Sequence, residues 1–196
     1  MEKRKSFTEK ELMALIQSGN HEEIMKFLKV HQGMPFTPAA SQLFVDRGNS
    51  EEILAYIKHA PLPERGEIAL IKRGEREEIL PYIKKYKLLP YSEVKLIQRG
   101  VHEEIMCYLK RFKLVEKAVI ELIHRDNEEE VCYAAKKQEF GFAGELELLR
   151  FGMKRQIMAY IQHRRFCRNV VERLFFKRNE PEEVATYKSL YQIHKD

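Results

Sequence analysis

The chain has 196 residues, 44% hydrophobic and 33% charged with a net charge of +5, which allows a sizeable core and excludes a membrane-embedded protein. No apolar run reaches the roughly 18 residues of a spanning helix, and no apolar stretch follows the basic amino terminus MEKRKSFTEKEL, so a cytoplasmic protein is expected. Cys107, Cys132 and Cys167 are odd in number without CxxC spacing, and the seven His residues lack HxxxH or HExxH spacing, so no disulfide framework, metal site or cofactor is expected.

The first helix is predicted to start at Thr8, which has capping-box spacing to Glu11, with Phe7 packing on Leu12 as a hydrophobic staple. From there the chain repeats. The landmark GNHEEI at Gly19 returns as GNSEEI at Gly48, GEREEI at Gly74, GVHEEI at Gly100, DNEEEV at Asp126, GMKRQI at Gly152 and NEPEEV at Asn179. Intervals from Gly48 to Gly152 are 26 residues each, the first being 29 and the last 27. A fixed period of this kind marks an array in which each unit stacks on its neighbours.

Before each landmark runs a helix with apolar residues such as Ile68, Leu70 and Ile71, or Val94, Leu96 and Ile97, ended by Gly in the left-handed conformation. Asp126 and Asn179 stand in for Gly there, both being tolerant of that geometry. A second helix follows, with Asn20, Asn49 and Asn127 as N-caps and Pro181 at its first position in the last copy. The glutamate pairs in its first turn, such as Glu77 and Glu78, read as capping and macrodipole chemistry and not as an acid–base pair. Its apolar stripe includes a file of aromatics, Phe27, Tyr56, Tyr82, Tyr108, Tyr160 and Tyr187, read as core with the hydroxyl reaching the surface. One apolar residue per connection, Phe36, Leu62, Leu88, Leu114, Phe140 and Phe166, is read as a buried clip. Pro81 should kink its helix.

These features predict an all-α fold with about fourteen short helices, a right-handed α-α superhelix (solenoid) of about seven two-helix repeats forming one domain over residues 1–196. The pattern resembles the α-helical solenoid repeat class that includes HEAT, armadillo and tetratricopeptide arrays, although a 26-residue unit is shorter than theirs and no Trp is present. The resemblance is one of architecture and implies a binding scaffold.

The charge is unevenly placed. Across five repeats the edge joining first to second helix sums to −3, whereas the opposite edge sums to +8 and carries Lys84, Lys85, Lys87, Lys110, Arg111, Lys113, Lys136, Lys137, Arg164 and Arg165. Helix C-termini favour cations, which accounts for much of this rim. Residues 150–178 contain nine cations, including Lys154, Arg155, Arg164, Arg165 and Arg168, against one anion, Glu172. There the glutamate pair becomes Arg155 and Gln156, which gives up favourable chemistry at a helix start and marks the stretch as a candidate site. The fifth copy is thinner, with Ala134 and Ala135 in place of bulk and then Gly141 and Gly144, through drift or to open a groove.

No P-loop, GxGxxG, GxSxG or metal motif is present, so the chain is expected to be non-enzymatic. The expected function is a scaffold for a macromolecular partner, either an acidic protein or, through the basic rim and residues 150–178, nucleic acid. The candidate binding residues are Lys84, Lys85, Lys110, Arg111, Lys113, Lys154, Arg155, Arg164, Arg165 and Arg168. No membrane partner is expected, and the oligomeric state is left open.

Overall fold

The recurring Gly-x-x-Glu-Glu element stops one helix and starts the next. In the computed structural model, which describes residues 8–193, this produces fourteen α-helices and no strand among the described residues. The chain divides into two compact units, Met1–Lys95 and Leu96–Asp196. The first contains α1 (Glu9–Ser18), α2 (His21–Val30), α3 (Pro38–Arg47), α4 (Ser50–Ile57), α5 (Glu64–Arg73) and α6 (Arg76–Lys85), and the division falls inside α7 (Pro90–Arg99). The second contains α8 (His102–Arg111), α9 (Glu116–His124), α10 (Glu128–Lys137), α11 (Gly141–Phe151), α12 (Lys154–Ile161), α13 (Asn169–Lys177) and α14 (Pro181–Tyr191).

Packing within each unit is that of a helical repeat. In the first, α1 packs on α3 and α3 on α5, while α2 packs on α4 and α4 on α6. In the second, α9, α11 and α13 form one layer and α8, α10, α12 and α14 the other. Between the layers lie the aromatic file and the clip residues, all buried. No helix among the described residues is long and apolar enough to cross a membrane.

The expected caps form where the sequence places them. Thr8 and Glu11 make a reciprocal capping box, and the Asn20, Asn49 and Asn127 side chains each accept from a backbone N–H three residues on at 3.2 Å. Phe7, the proposed staple, lies outside the described residues. Gly48, Gly74 and Gly100 are left-handed, as are Asp126 and Asn179 at φ 59° and 55°. Gly152 departs from this expectation with φ −68°; a methyl group there would collide with the Leu148 carbonyl, so close approach and not handedness requires glycine. The α6 helix continues through Pro81.

The larger departure from expectation concerns the polar residues. Except in the first pair, where Glu23 is exposed, the second glutamate (Glu52, Glu78, Glu104, Glu130 and Glu183) is at most 1% exposed. Each faces an arginine five residues earlier, Arg47, Arg73, Arg99, Arg125 and Arg178 respectively, at 2.6 to 3.1 Å in the first four and 3.8 Å in the last. The carboxylate also reaches the preceding repeat: His21 Nδ1 lies 2.8 Å from Glu52, Ser50 Oγ donates to Glu78 at 2.6 Å, and His102 Nδ1 lies 2.8 Å from Glu130. Beyond capping, the pair's second member is therefore a buried ionic joint between repeats.

The tyrosine hydroxyls are likewise inside. Tyr82 Oη accepts from the Leu62 N–H at 3.0 Å and donates to Glu67 at 2.8 Å, and the other Glu67 oxygen accepts from the Leu89 N–H at 2.9 Å. Phe140 N–H, Tyr160, Glu145 and Cys167 N–H form the same relay in the second unit. One Tyr–Glu pair thus holds the connections at both ends of a repeat.

This clamp explains the fifth copy. Val119 stands where Glu67 and Glu145 stand in theirs, so a tyrosine at Ala134 would have no carboxylate to meet. The Leu114 N–H is instead received by the Gln138 side chain at 2.6 Å, with Gln138 returning a bond to the Leu114 carbonyl at 3.1 Å. Gly144 packs against Val119 and Phe140 so closely that a methyl would crowd both. Ala134 and Ala135 are themselves fully buried, so the smaller side chains leave neither position open to solvent.

Two predictions follow from the clamp. Tyr82→Phe leaves the Leu62 N–H and one Glu67 oxygen without their partner and should lower unfolding free energy by about 1–3 kcal/mol, read by urea titration. Burial, first, raises the Glu67 pKa. A carboxyl whose pKa is higher folded than unfolded stabilises most below its unfolded value and loses that contribution as pH rises through the folded value. The stability advantage of the native chain over Glu67→Gln should therefore shrink as pH increases from about 4 towards neutrality, as followed by urea melts of both proteins.

Candidate interaction surface

The side chains singled out for their charge sit mainly at helix ends, where the last carbonyls lack intrahelical partners. In the first unit Lys84 and Lys85 close α6, both exposed. Lys85 donates to the Lys58 carbonyl at the end of α4 and lies 5.0 Å from the Tyr86 ring centre. In the second unit Lys110 and Arg111 close α8 and Lys113 follows, all exposed. Lys137 repeats the Lys85 bond, donating to the Leu109 carbonyl, and Arg164 donates to the Lys136 carbonyl at 3.4 Å. The basic edge thus contains two kinds of cation: those that cap the preceding helix of the same layer, and those, such as Lys84 and Lys110, that project outward.

The cations of residues 150–178 do not converge on one point. Lys154 and Arg155 open α12, while Arg164, Arg165 and Arg168 lie beyond its far end, and eight helical residues separate the two groups by about 12 Å. Most of them meet carboxylates or rings of their own unit. Lys154 pairs with Glu182, Arg155 with Glu128 at 3.0 Å and Arg165 with Glu172 at 3.3 Å, each carboxylate raising the pKa of its cation. The Arg168 guanidinium lies 4.4 Å from the centre of the Phe142 ring. Lys154 and Arg155, with Glu128, Glu182, Cys132, Lys136 and Met158, line an open cavity of about 520 Å³ along α10, α12 and α14. Its walls alternate in charge.

Desolvation and then the adjoining Glu145 push the Cys167 thiol up to about 11, which disfavours its thiolate form at neutral pH. Glu183 is the least satisfied buried carboxylate: burial raises its pKa, and neither oxygen has a hydrogen-bond partner. The residue one repeat earlier that would bond it, Lys154, turns to Glu182 instead.

The loss of the glutamate pair at Arg155 and Gln156 has a structural cause that the sequence also contains. The arginine that should precede it by five residues is Phe151. With no cation to receive it, a carboxylate at position 156 would be buried alone; the neutral Gln156 instead accepts from the Met153 N–H at 2.8 Å. The two departures are complementary: the copy lacks both members of the ion pair. Reading each copy position by position misses it, because its sign lies in the pairing of positions 151 and 156.

No family model matches the chain, and neither a curated protein nor a solved structure is significantly similar to it.

Gln156→Glu should cost about 3–5 kcal/mol by burying an unpaired carboxylate, and adding Phe151→Arg should recover most of that loss. A double-mutant cycle of urea melts measures the coupling. Arg155→Ala, by contrast, removes an exposed pair and should leave the urea midpoint nearly unchanged.

Proposed function

We propose that the chain is a non-enzymatic binding scaffold for an acidic macromolecular partner, acting in the cytoplasm. In this reading the 26-residue period, which crosses the boundary between the two units without change, makes residues 1–196 one right-handed solenoid of about seven two-helix repeats. The observation that carries it is the division of polar residues between interior and surface. The carboxylates and tyrosines that could have served acid–base chemistry are engaged inside as joints between repeats, as with Glu78, Glu67 and Tyr82. What the repeats ending in α6 and α8 offer outward is a helix end with exposed lysine, Lys84 and Lys110.

A protein partner is favoured over nucleic acid by the charge mosaic. The Lys154, Arg155 and Arg165 cations are interleaved with Glu182, Glu128 and Glu172, which weakens the field that a continuous phosphate backbone would meet. Carboxylates spaced along a peptide suit such an alternating surface better. The nucleic-acid reading keeps the outward lysines of the basic rim as its support.

The test is fluorescence anisotropy with a labelled Glu-rich peptide, a DNA duplex and a single strand, from about 50 mM salt upward. Saturable binding of the peptide, and weaker binding of both nucleic acids, is the expected result. Tighter nucleic-acid binding that falls steeply with salt would transfer the function to the alternative, and no binding to any of the three would end the anionic-partner reading. Arg165→Ala/Arg168→Ala should keep helicity and thermal melting while weakening the peptide severalfold, since both side chains are exposed and exposed cations contribute little to folding.

A further inference from the structure

One position in the second unit lacks the arginine that its neighbours use. Arg125 donates through Nε to Glu130 and through Nη2 to the Gly100 carbonyl of the preceding repeat. In the first unit Arg73 lies the same way, and a methyl group on Gly48 or Gly100 would collide with the arriving guanidinium. The landmark glycine is thus also a seat for an arginine, one repeat on. The next seat after Gly100 is Asp126, and 26 residues after Arg125 stands Phe151.

The seat is left open. Ile123, His124, Asp126 and Phe151 line a cavity of about 430 Å³. Ile123 is buried, whereas Phe151 is 60% exposed, a poor use of a large apolar side chain on stability grounds alone. The His124 ring stands edge-on to Phe151, with centroids 5.2 Å apart and planes at 87°. It is held from the other side by Glu147 at 2.7 Å, which also receives Arg150 at 3.0 Å. Asp126, left-handed and exposed, adds a carboxylate. The cations adjoining it in sequence and space are engaged elsewhere, Arg125 on Glu130 and Gly100, and Arg150 on Glu147.

We propose that this cavity is a receptor site for an arginine side chain of a partner protein, which takes the seat that the chain's own arginines, Arg73 and Arg125, occupy at Gly48 and Gly100. Its guanidinium would lie against the exposed face of Phe151 and pair with the Asp126 carboxylate. The planar, weakly hydrated guanidinium suits an aromatic face beside one carboxylate better than a lysine ammonium does. Asp126 itself fits this account: with no internal arginine arriving, a side chain is tolerated where Gly48 and Gly100 are required, and the one present is an anion. This site is separate from the exposed lysines and does not depend on the acidic-partner reading.

The probes are N-acetyl-arginine-methylamide and its neutral isostere, N-acetyl-citrulline-methylamide, titrated into the full chain and followed by NMR. The arginine probe should shift the Phe151, His124 and Asp126 resonances saturably at millimolar concentration, and the citrulline probe about tenfold more weakly, because it lacks the charge. Asp126→Asn should weaken the arginine probe severalfold. Phe151→Arg with Gln156→Glu, which refills the seat from within and keeps the buried joint neutral, should abolish binding. Its amide spectrum shows independently that it folds. Equal shifts from both probes, no shift at the three residues, or unchanged binding to the refilled variant would each overturn the proposal.

Discussion

Everything in this chain rests on the burial of carboxylates. An ionised side chain taken out of water is costly unless a cation and further donors meet it, so each buried glutamate dictates what its neighbours must be. Glu130 requires Arg125 from its own repeat and His102 from the preceding one; Glu67 requires Tyr82 and the Leu89 backbone. Apolar packing would let such short helices slide along one another. These joints fix the register, because a shift of one residue would strand a charge.

The same logic orders the exceptions. Where Val119 replaces the clamp glutamate, the tyrosine is gone as well and Gln138 takes over its bond to the connection. Where Phe151 replaces the arginine, Gln156 replaces the glutamate and Asp126 replaces the glycine. Each departure is a set of positions that in the regular copies meet around one contact. In a repeat array the unit of variation is therefore the contact between neighbours, and a substitution that looks aberrant in its own copy is regular once its partner is found.

How much of this was legible in the sequence depended on range. The helix starts at Thr8, Asn20, Asn49, Asn127 and Pro181, the buried clips and the repeat packing follow from patterns within a few residues, and the structure has them in place. The burial of Glu78 and of the Tyr82 hydroxyl was not legible, because an amphipathic pattern assigns glutamate and phenol to the water side, and only a partner 5 to 20 residues away reverses that. The basic stretch over residues 150–178 looked like one patch because a linear count ignores helix length. In space α12 holds its two groups apart, and Glu128 and Glu182, both outside the stretch, come in from other repeats.

The Tyr–Glu relay also has a direction. The Leu62 N–H is received by Tyr82, and the Phe140 N–H by Tyr160, each 20 residues further along the chain. A repeat emerging from the ribosome therefore carries an open donor in its entry loop until the second helix after it has been made. Growth of the array is vectorial in this sense: each new helix pair completes the loop behind it and presents the next unfinished one.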